Sequence, residues 1–324
     1  MKIRDSNIDG DLFPTRHSIW KKIIRYVYED ICHRMMRPQQ LLRYIEEGSL
    51  RPLPIKPTPD TMWTRSVIRW DEWKGIARYD RSTEYRIDYR HPGSRRHMLE
   101  MNHLFIPELK TLIEMHVFEN YKLDIVEVTG ISASKSMSHD IGHIDEFPQM
   151  RCSELLEPVT ENHLRKNMAH GEIRLDDMRF SDFTWAPRRV HWHNAGGSHH
   201  FAAARYQAVR LNISVPIVGK MVRYSVDSFS IRQLRQRWLM YLLPKREVFG
   251  KFYKSMTAFE CAFGQCQLPR NLHKASCNDE ELSIIWLLRE NPKSLAVARI
   301  LDQSGFPNFG NILKNLDRDA CRQT

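Results

Sequence analysis

The residue types best suited to chemistry lie between 188 and 226, where a strand-like stretch meets paired glycines and then a helix-like stretch. The glycines permit a tight turn and let a ligand approach the main chain closely. The segment 201–211 follows, and its alanines have high helix propensity. The first turn of a helix presents free N–H groups and the positive end of its dipole, which together attract anions. The pattern therefore predicts a phosphate site, with these ligands: Gly196, Gly197, Ser198, His199, His200 and Arg205.

The same segment resembles the phosphate-binding motif of the ParB/sulfiredoxin-like superfamily. The run 196–200 reads Gly-Gly-Ser-His-His where sulfiredoxins have Gly-Gly-Cys-His-Arg, and 215–217 matches the Val/Ile-Pro-Val/Ile strand that follows. The likeness extends more faintly to 161–171. It implies a small α/β domain that binds ATP, CTP or ADP with a divalent ion. Some members of the superfamily are kinases or nucleases, and others do not catalyse a reaction.

Two positions depart from the family pattern. Ser198 replaces the sulfiredoxin cysteine, so reduction of a sulfinic acid through a cysteine intermediate is not expected. His200 replaces an arginine, and an imidazole binds phosphate less well than a bidentate guanidinium. Arg205, one turn further on, or else Arg188 or Arg189, could supply the missing charge, and Arg205 is the residue assigned to it. Within the resemblance, Ser198, His199 and His200 are the candidate catalytic residues of an NTP-dependent enzyme or switch.

Metal ions enter these hypotheses in two ways. Glu172 and Asp176 lie upstream of the glycines, and carboxylates are suitable ligands for the Mg²⁺ of a bound nucleotide. His191 and His193 would share one face of a strand. With the histidine pair 199–200 they favour a Zn²⁺ or Mn²⁺ site and a metal-dependent phosphoesterase or nuclease. Histidines with purely structural roles are the third interpretation.

The charge of the chain suggests a further alternative. Lys and Arg number 49 against 39 acidic residues, a net charge of +10. The arginine-rich stretches 78–96 and 230–239 favour non-enzymatic binding of DNA or RNA, although solvated faces over packed stripes have the same pattern. The six cysteines are too few for a disulfide scaffold. No apolar run approaches the ~20 residues of a membrane span, and the polar N-terminus is unlike a signal peptide. We therefore expect a cytoplasmic protein without a membrane partner.

Two more clusters could carry chemistry. The first is interpreted as a solvated loop, because catalytic triads are assembled in space rather than along the chain; it consists of Ser136, Ser138, His139, Asp140 and His143. The second, Cys261, Cys266 and Cys277 with His273, lacks the second ligand pair of a zinc site. Buried free thiols are the better interpretation.

These patterns predict an α/β (α+β) fold, in which a small ParB/sulfiredoxin-like core carries mostly helical additions. The predicted regions are N-terminal helices (1–50), a proline-rich linker (51–60), a mixed α/β region (61–150), the phosphate-binding domain (151–245) and a helical C-terminal region (246–324). Hydrophobic periodicity predicts helices at 18–36, 39–47, 104–121, 161–171, 201–211, 230–241, 280–289 and 294–303. It predicts strands at 84–90, 123–128, 188–193, 215–218 and 222–226.

Overall fold

The computed structural model describes residues 37–55, 59–76, 84–95, 97–137, 141–186, 189–272 and 281–321. Helices and two sheets make up these ranges, which confirms the predicted α+β class. In these ranges no helix combines the length and the apolar composition needed to cross a lipid bilayer. The predicted helix 18–36 and part of the proline-rich segment lie outside the described residues.

The strands are β1 (Arg86–Pro92), β2 (Leu99–Phe105), β3 (Ile113–Asp124), β4 (Val128–Ile131), β5 (Arg179–Phe183), β6 (Val190–Trp192), β7 (Pro216–Val226), β8 (Trp238–Pro244), β9 (Phe263–Gln267) and β10 (Leu282–Leu288). The helices are α1 (Gln39–Glu46), α2 (Pro107–Thr111), α3 (Glu146–Arg151), α4 (Glu161–Met168), α5 (Ser198–Leu211), α6 (Ser228–Arg237), α7 (Lys245–Glu247), α8 (Tyr253–Phe259), α9 (Pro292–Gln303) and α10 (Phe309–Cys321). A π-helical turn, Val248–Phe252, joins α7 to α8.

The first sheet carries the glycine-containing segment and has the strand order β3-β7-β5-β6-β4. Its β3–β7 and β5–β6 pairs are antiparallel, and its β7–β5 and β6–β4 pairs are parallel. Helix α5 covers one face, where the rings of Trp192 and Phe201 lie 4.3 Å apart. Ala202, Ala204 and Ala208 of α5 are fully buried in the core shared with this sheet. Their small side chains let the helix approach the sheet closely.

The second sheet has the order β2-β1-β9-β10-β8 and is antiparallel throughout. Ile285 and Leu287 of β10 face a cluster that includes α1, α8 and α9, whereas Ile284 and Trp286 face one that includes α6 and α10. This sheet is therefore buried on both faces along β10.

Three predicted helices are corrected. The segment 104–121 contains the end of β2, the short helix α2 and most of β3. The stripe that predicted a helix consists of Leu109, Leu112, Ile113, Val117 and Phe118, but only Leu109 lies in α2, and Val117 and Phe118 are exposed in β3. The segment 280–289 contains β10; a strand buried on both faces is a continuous apolar run, whose periodicity does not distinguish it from a helix. The helix predicted over 230–241 ends at Arg237 and continues as β8.

The predicted unit 151–245 coincides with neither sheet. Strands β3 and β4, from the region assigned to 61–150, pair with β7 and β6. Strand β8, at the end of the predicted unit, belongs to the second sheet with β9 and β10. The region 246–324, predicted to be helical, thus supplies two strands.

Candidate functional site

The glycine turn between β6 and α5 forms as predicted. Gly197 is the N-cap of α5 and has a left-handed backbone, with φ of 70°. A Cβ at this position would lie 2.9 Å from Cγ1 and 3.0 Å from the amide nitrogen of Ile173. Only glycine can adopt this positive φ and also leave room for Ile173 without strain. Helix α5 then begins at Ser198 and continues for 14 residues.

A buried asparagine fastens this turn to the loop that follows β4. The Asn194 Oδ1 accepts hydrogen bonds from the amides of Ser132 (3.2 Å) and Ala133 (3.0 Å). Its Nδ2 donates to the carbonyl oxygens of Ala133 (2.7 Å) and Gly196 (3.3 Å). The serine-rich loop 132–137 is therefore held beside the amino end of α5.

The amide predicted to bind phosphate already binds a carboxylate of the chain. Glu172, in the 3₁₀ turn Gly171–Ile173, accepts a hydrogen bond from the Gly197 amide at 2.9 Å. This bond lowers the pKa of the carboxyl, and the charges of Lys135, His170 and His200 act in the same direction. An anionic oxygen is thus stabilised at the position that the sequence assigned to phosphate, although it belongs to the protein.

The two histidines of the first turn face different partners. His199 Nε2 lies 3.1 Å from the Ser136 Oγ, and its ring stacks on Phe147 with the ring centres 5.2 Å apart. Burial lowers the pKa of both His199 and His200. Because an unperturbed histidine titrates near pH 6.5, both rings are neutral at pH 7.

The tautomer of His200 follows from its contacts. Its Nδ1 donates to the Asn167 Oδ1 at 2.9 Å, since an amide oxygen can only accept. The neutral ring therefore carries its lone pair on Nε2. The ring also stacks on His170, with the ring centres 3.8 Å apart. Asn167 in turn donates to the buried Gln207. The orientation of the His200 ring is therefore held by hydrogen bonds that lead into the core.

The predicted role of Arg205 is wrong. This side chain is 5% exposed and points into the core. Its Nε donates to the carbonyl of Val128 (2.6 Å), one terminal nitrogen donates to the carbonyl of Val126 (2.9 Å), and the other binds Asp145. All three nitrogens bind groups of the protein in the core, so Arg205 joins α5 to Val126, Val128 and Asp145 and is directed away from a ligand at the turn.

The predicted four-histidine metal site is not assembled. His191 is fully buried beside Gly130, and burial lowers its pKa to about 3. His193 Nε2 lies 2.7 Å from the Ser181 Oγ. The structure brings neither to the pair 199–200, and within the described ranges no three His, Cys, Asp or Glu side chains are grouped so as to hold a metal ion.

One cavity reaches the residues just before the glycine turn, and a second, larger cavity adjoins the first. A cavity of about 250 Å³ is lined by Glu172, Arg174, Arg179 and His193, among others. A larger one of about 810 Å³ shares Arg179 and His193 with it and is also lined by Asp176 and Lys220. Glu172 thus borders the cavity next to the turn, whereas Asp176 borders only the larger one. The sequence analysis missed Arg174 and Arg179, since nothing but their charge distinguishes them from other surface arginines.

The remaining clusters are placed as follows. Cys261 and Cys266 are buried free thiols, as predicted, and burial raises the pKa of each to about 12. Ser138, His139, Asp140, His273 and Cys277 lie outside the described residues. The arginine-rich helix α6 buries Ile231 and Leu234 and exposes Arg232. That is the arrangement of a solvated face over a packed stripe, and nucleic-acid binding stays a prediction.

Comparison with known proteins assigns the chain to a family. Residues 118–323 match the model of a family of unknown function, DUF6685. This match covers more than half of the chain. The chain belongs to DUF6685. The region that matches DUF6685 begins within β3 and includes the glycine turn, Glu172 and the serine-rich loop. No curated protein and no solved structure matches the chain.

Proposed function

We propose that this DUF6685 protein binds a phosphate-bearing ligand, a nucleotide with its Mg²⁺, at the amino end of α5 and in the cavities beside it. The observation that carries the proposal is the Glu172 carboxylate on the Gly197 amide. A phosphate oxygen can accept the same hydrogen bond, and helix amino ends commonly bind such anions. On binding, the phosphate takes the place of the carboxylate.

The charges around the turn support this ligand class. The positive charge of Lys135 acts on the Glu172 carboxylate, so it would act equally on a phosphate there, and the neutral His200 can contribute a hydrogen bond but no charge. Arg174 and Arg179 line the adjoining cavity and take over the role predicted for Arg205. Guanidinium groups make paired, charge-assisted hydrogen bonds with phosphate. Because Arg179 is paired with Asp177, a ligand would compete with that carboxylate.

The sequence resemblance supports the same class of ligand. The strand, the glycine turn and the small-residue helix occur in the order that ParB/sulfiredoxin-like proteins use to bind nucleotides. Glu172 and Asp176 border the cavities and, once displaced from the amide, Glu172 is a candidate ligand for the Mg²⁺ of the nucleotide. The cytoplasmic location expected from the sequence belongs to this proposal as well.

Isothermal titration calorimetry tests the proposal with ATP, CTP and ADP, each with Mg²⁺. We expect binding heat with at least one nucleotide and a marked loss of affinity in Arg179→Ala. Arg165→Ala is the matched control, because Arg165 is an exposed arginine of α4 paired with Glu161. Absence of heat with every nucleotide would contradict the proposal, and so would full binding by Gly197→Val.

A further inference from the structure

A serine and a histidine that are 63 positions apart in the chain meet beside the glycine turn. The Ser136 Oγ lies 3.1 Å from the His199 Nε2. The serine comes from the loop 132–137 and the histidine from the first turn of α5. Because Asn194 fastens that loop to the turn, the pairing is held by the surrounding structure as well as by its own hydrogen bond.

The imidazole is arranged to accept the hydroxyl proton. Its ring is held against Phe147, which is itself fully buried and in edge contact with Trp63 at 5.6 Å. Burial keeps the ring neutral. In the tautomer protonated on Nδ1, the Nε2 lone pair faces Ser136. Nucleophilic serines in enzymes are activated by this kind of contact.

A second serine–histidine pair, formed by β5 and the residue after β6, shows what distinguishes the first pair. The Ser181 Oγ lies 2.7 Å from the His193 Nε2, but Ser181 is only 2% exposed. No reagent can reach that hydroxyl in the folded chain. Ser136 is half-buried, so a reagent in solution can reach its hydroxyl. The charges that act on His199 are mixed, because Glu154 and Glu172 raise the pKa of the ring whereas Lys135 lowers it. Accessibility therefore distinguishes this pair from the buried one.

We propose that Ser136 is a nucleophile, with His199 as its general base, that accepts a phosphoryl group from a phosphoric ester or anhydride. The substrate class rests on the proposed function; the nucleophile itself does not. The Ser136 Oγ forms a bond to phosphorus while the bond from phosphorus to the leaving oxygen breaks. The leaving oxygen keeps that electron pair. The hydroxyl proton passes to the His199 Nε2 and from there to the leaving oxygen.

Labelling of the full chain with a fluorophosphonate tests the proposal, because fluoride then leaves in place of the oxygen. We expect one adduct, located at Ser136 by peptide mass spectrometry and absent in Ser136→Ala. General bases contribute factors of 10²–10⁴, so His199→Gln should slow labelling about a hundredfold. Ser134→Ala removes a hydroxyl that accepts from the Ser136 amide at 3.1 Å but leaves the imidazole in place, so it should slow labelling far less than His199→Gln, and Ser181 should stay unlabelled.

If His199→Gln does not fold, cysteine variants test the contact with His199 in its place. Ser136→Cys should react with iodoacetamide faster than Ser134→Cys, because only the first thiol lies beside the imidazole. No adduct on Ser136, equal labelling in His199→Gln, or equal thiol reactivity would overturn the proposal. Labelling without nucleotide binding would refute the proposed function alone, and nucleotide binding without labelling would refute the nucleophile alone.

Discussion

Replacing Arg205 by methionine should destabilise the protein strongly. The change leaves two carbonyl oxygens and the Asp145 carboxylate without the donors that they now have. An unsatisfied buried group costs about 1–3 kcal/mol, and removal of one partner from a buried ion pair costs about 3–5 kcal/mol. Because Asp145 is partly exposed and water can reach it, we expect a loss of about 3–4 kcal/mol in the free energy of unfolding.

Urea unfolding, monitored by tryptophan fluorescence, measures this loss. The m-value should be the same in the variant and the wild type. Arg210→Met is the matched control, because Arg210 lies on the exposed side of the same helix over the Tyr206 ring. It should change stability by no more than about 1 kcal/mol. Arg205→Lys should fall between the two, since lysine keeps the charge but cannot reach three acceptors. A loss below about 1 kcal/mol in Arg205→Met would refute the structural role.

Three further predictions concern the same sheet and turn. Gly130→Ala should lower the unfolding free energy by about 1–3 kcal/mol, because its Cβ would lie 2.4 Å from the His191 ring; thermal unfolding measures it. The pKa of His191 falls from 6.5 to about 3 on folding, so the unfolded chain binds the proton more readily. Stability should therefore fall by about 1.4 kcal/mol per pH unit below pH 6.5, and His191→Phe should show a shallower dependence in urea unfolding. Glu172→Gln should tighten the binding of nucleotide in calorimetry without Mg²⁺, because it removes the carboxylate that competes for the Gly197 amide and leaves no Mg²⁺ for Glu172 to hold; unchanged or weaker binding would contradict this competition.

Sequence patterns predicted correctly those elements whose conformation depends on residues close together in the chain. The helix α5 and its glycine turn were predictable because alanine propensity and the freedom of Gly197 act within a few residues. Strand β10 was not predictable in this way. Its apolar run results from burial between two layers that come from distant parts of the chain. Most of strand β3 was missed because Val117 continues the helical spacing of Leu109 and Ile113, although its side chain is exposed on a strand at the edge of the sheet.

The candidate site also combines features set by neighbouring residues, which were predicted, with features set by long-range packing, which were not. The residues of the turn are adjacent in sequence and were identified, whereas the contact of Ser136 with His199 depends on how the loop after β4 packs. The role of Arg205 could have been inferred from helical spacing. It lies four residues after Phe201, so both side chains point to the same, buried face of α5.

The pairing of β3 and β4 with strands from beyond residue 178 limits how the protein can be dissected. A fragment that begins at 150 would contain the glycines yet lose Ser136 and the carbonyl groups that Arg205 binds. It would also leave β6 and β7 each with an uncovered hydrogen-bonding edge, and such edges promote aggregation. Strands 113–131 therefore belong in any shortened version intended for crystallisation or binding studies.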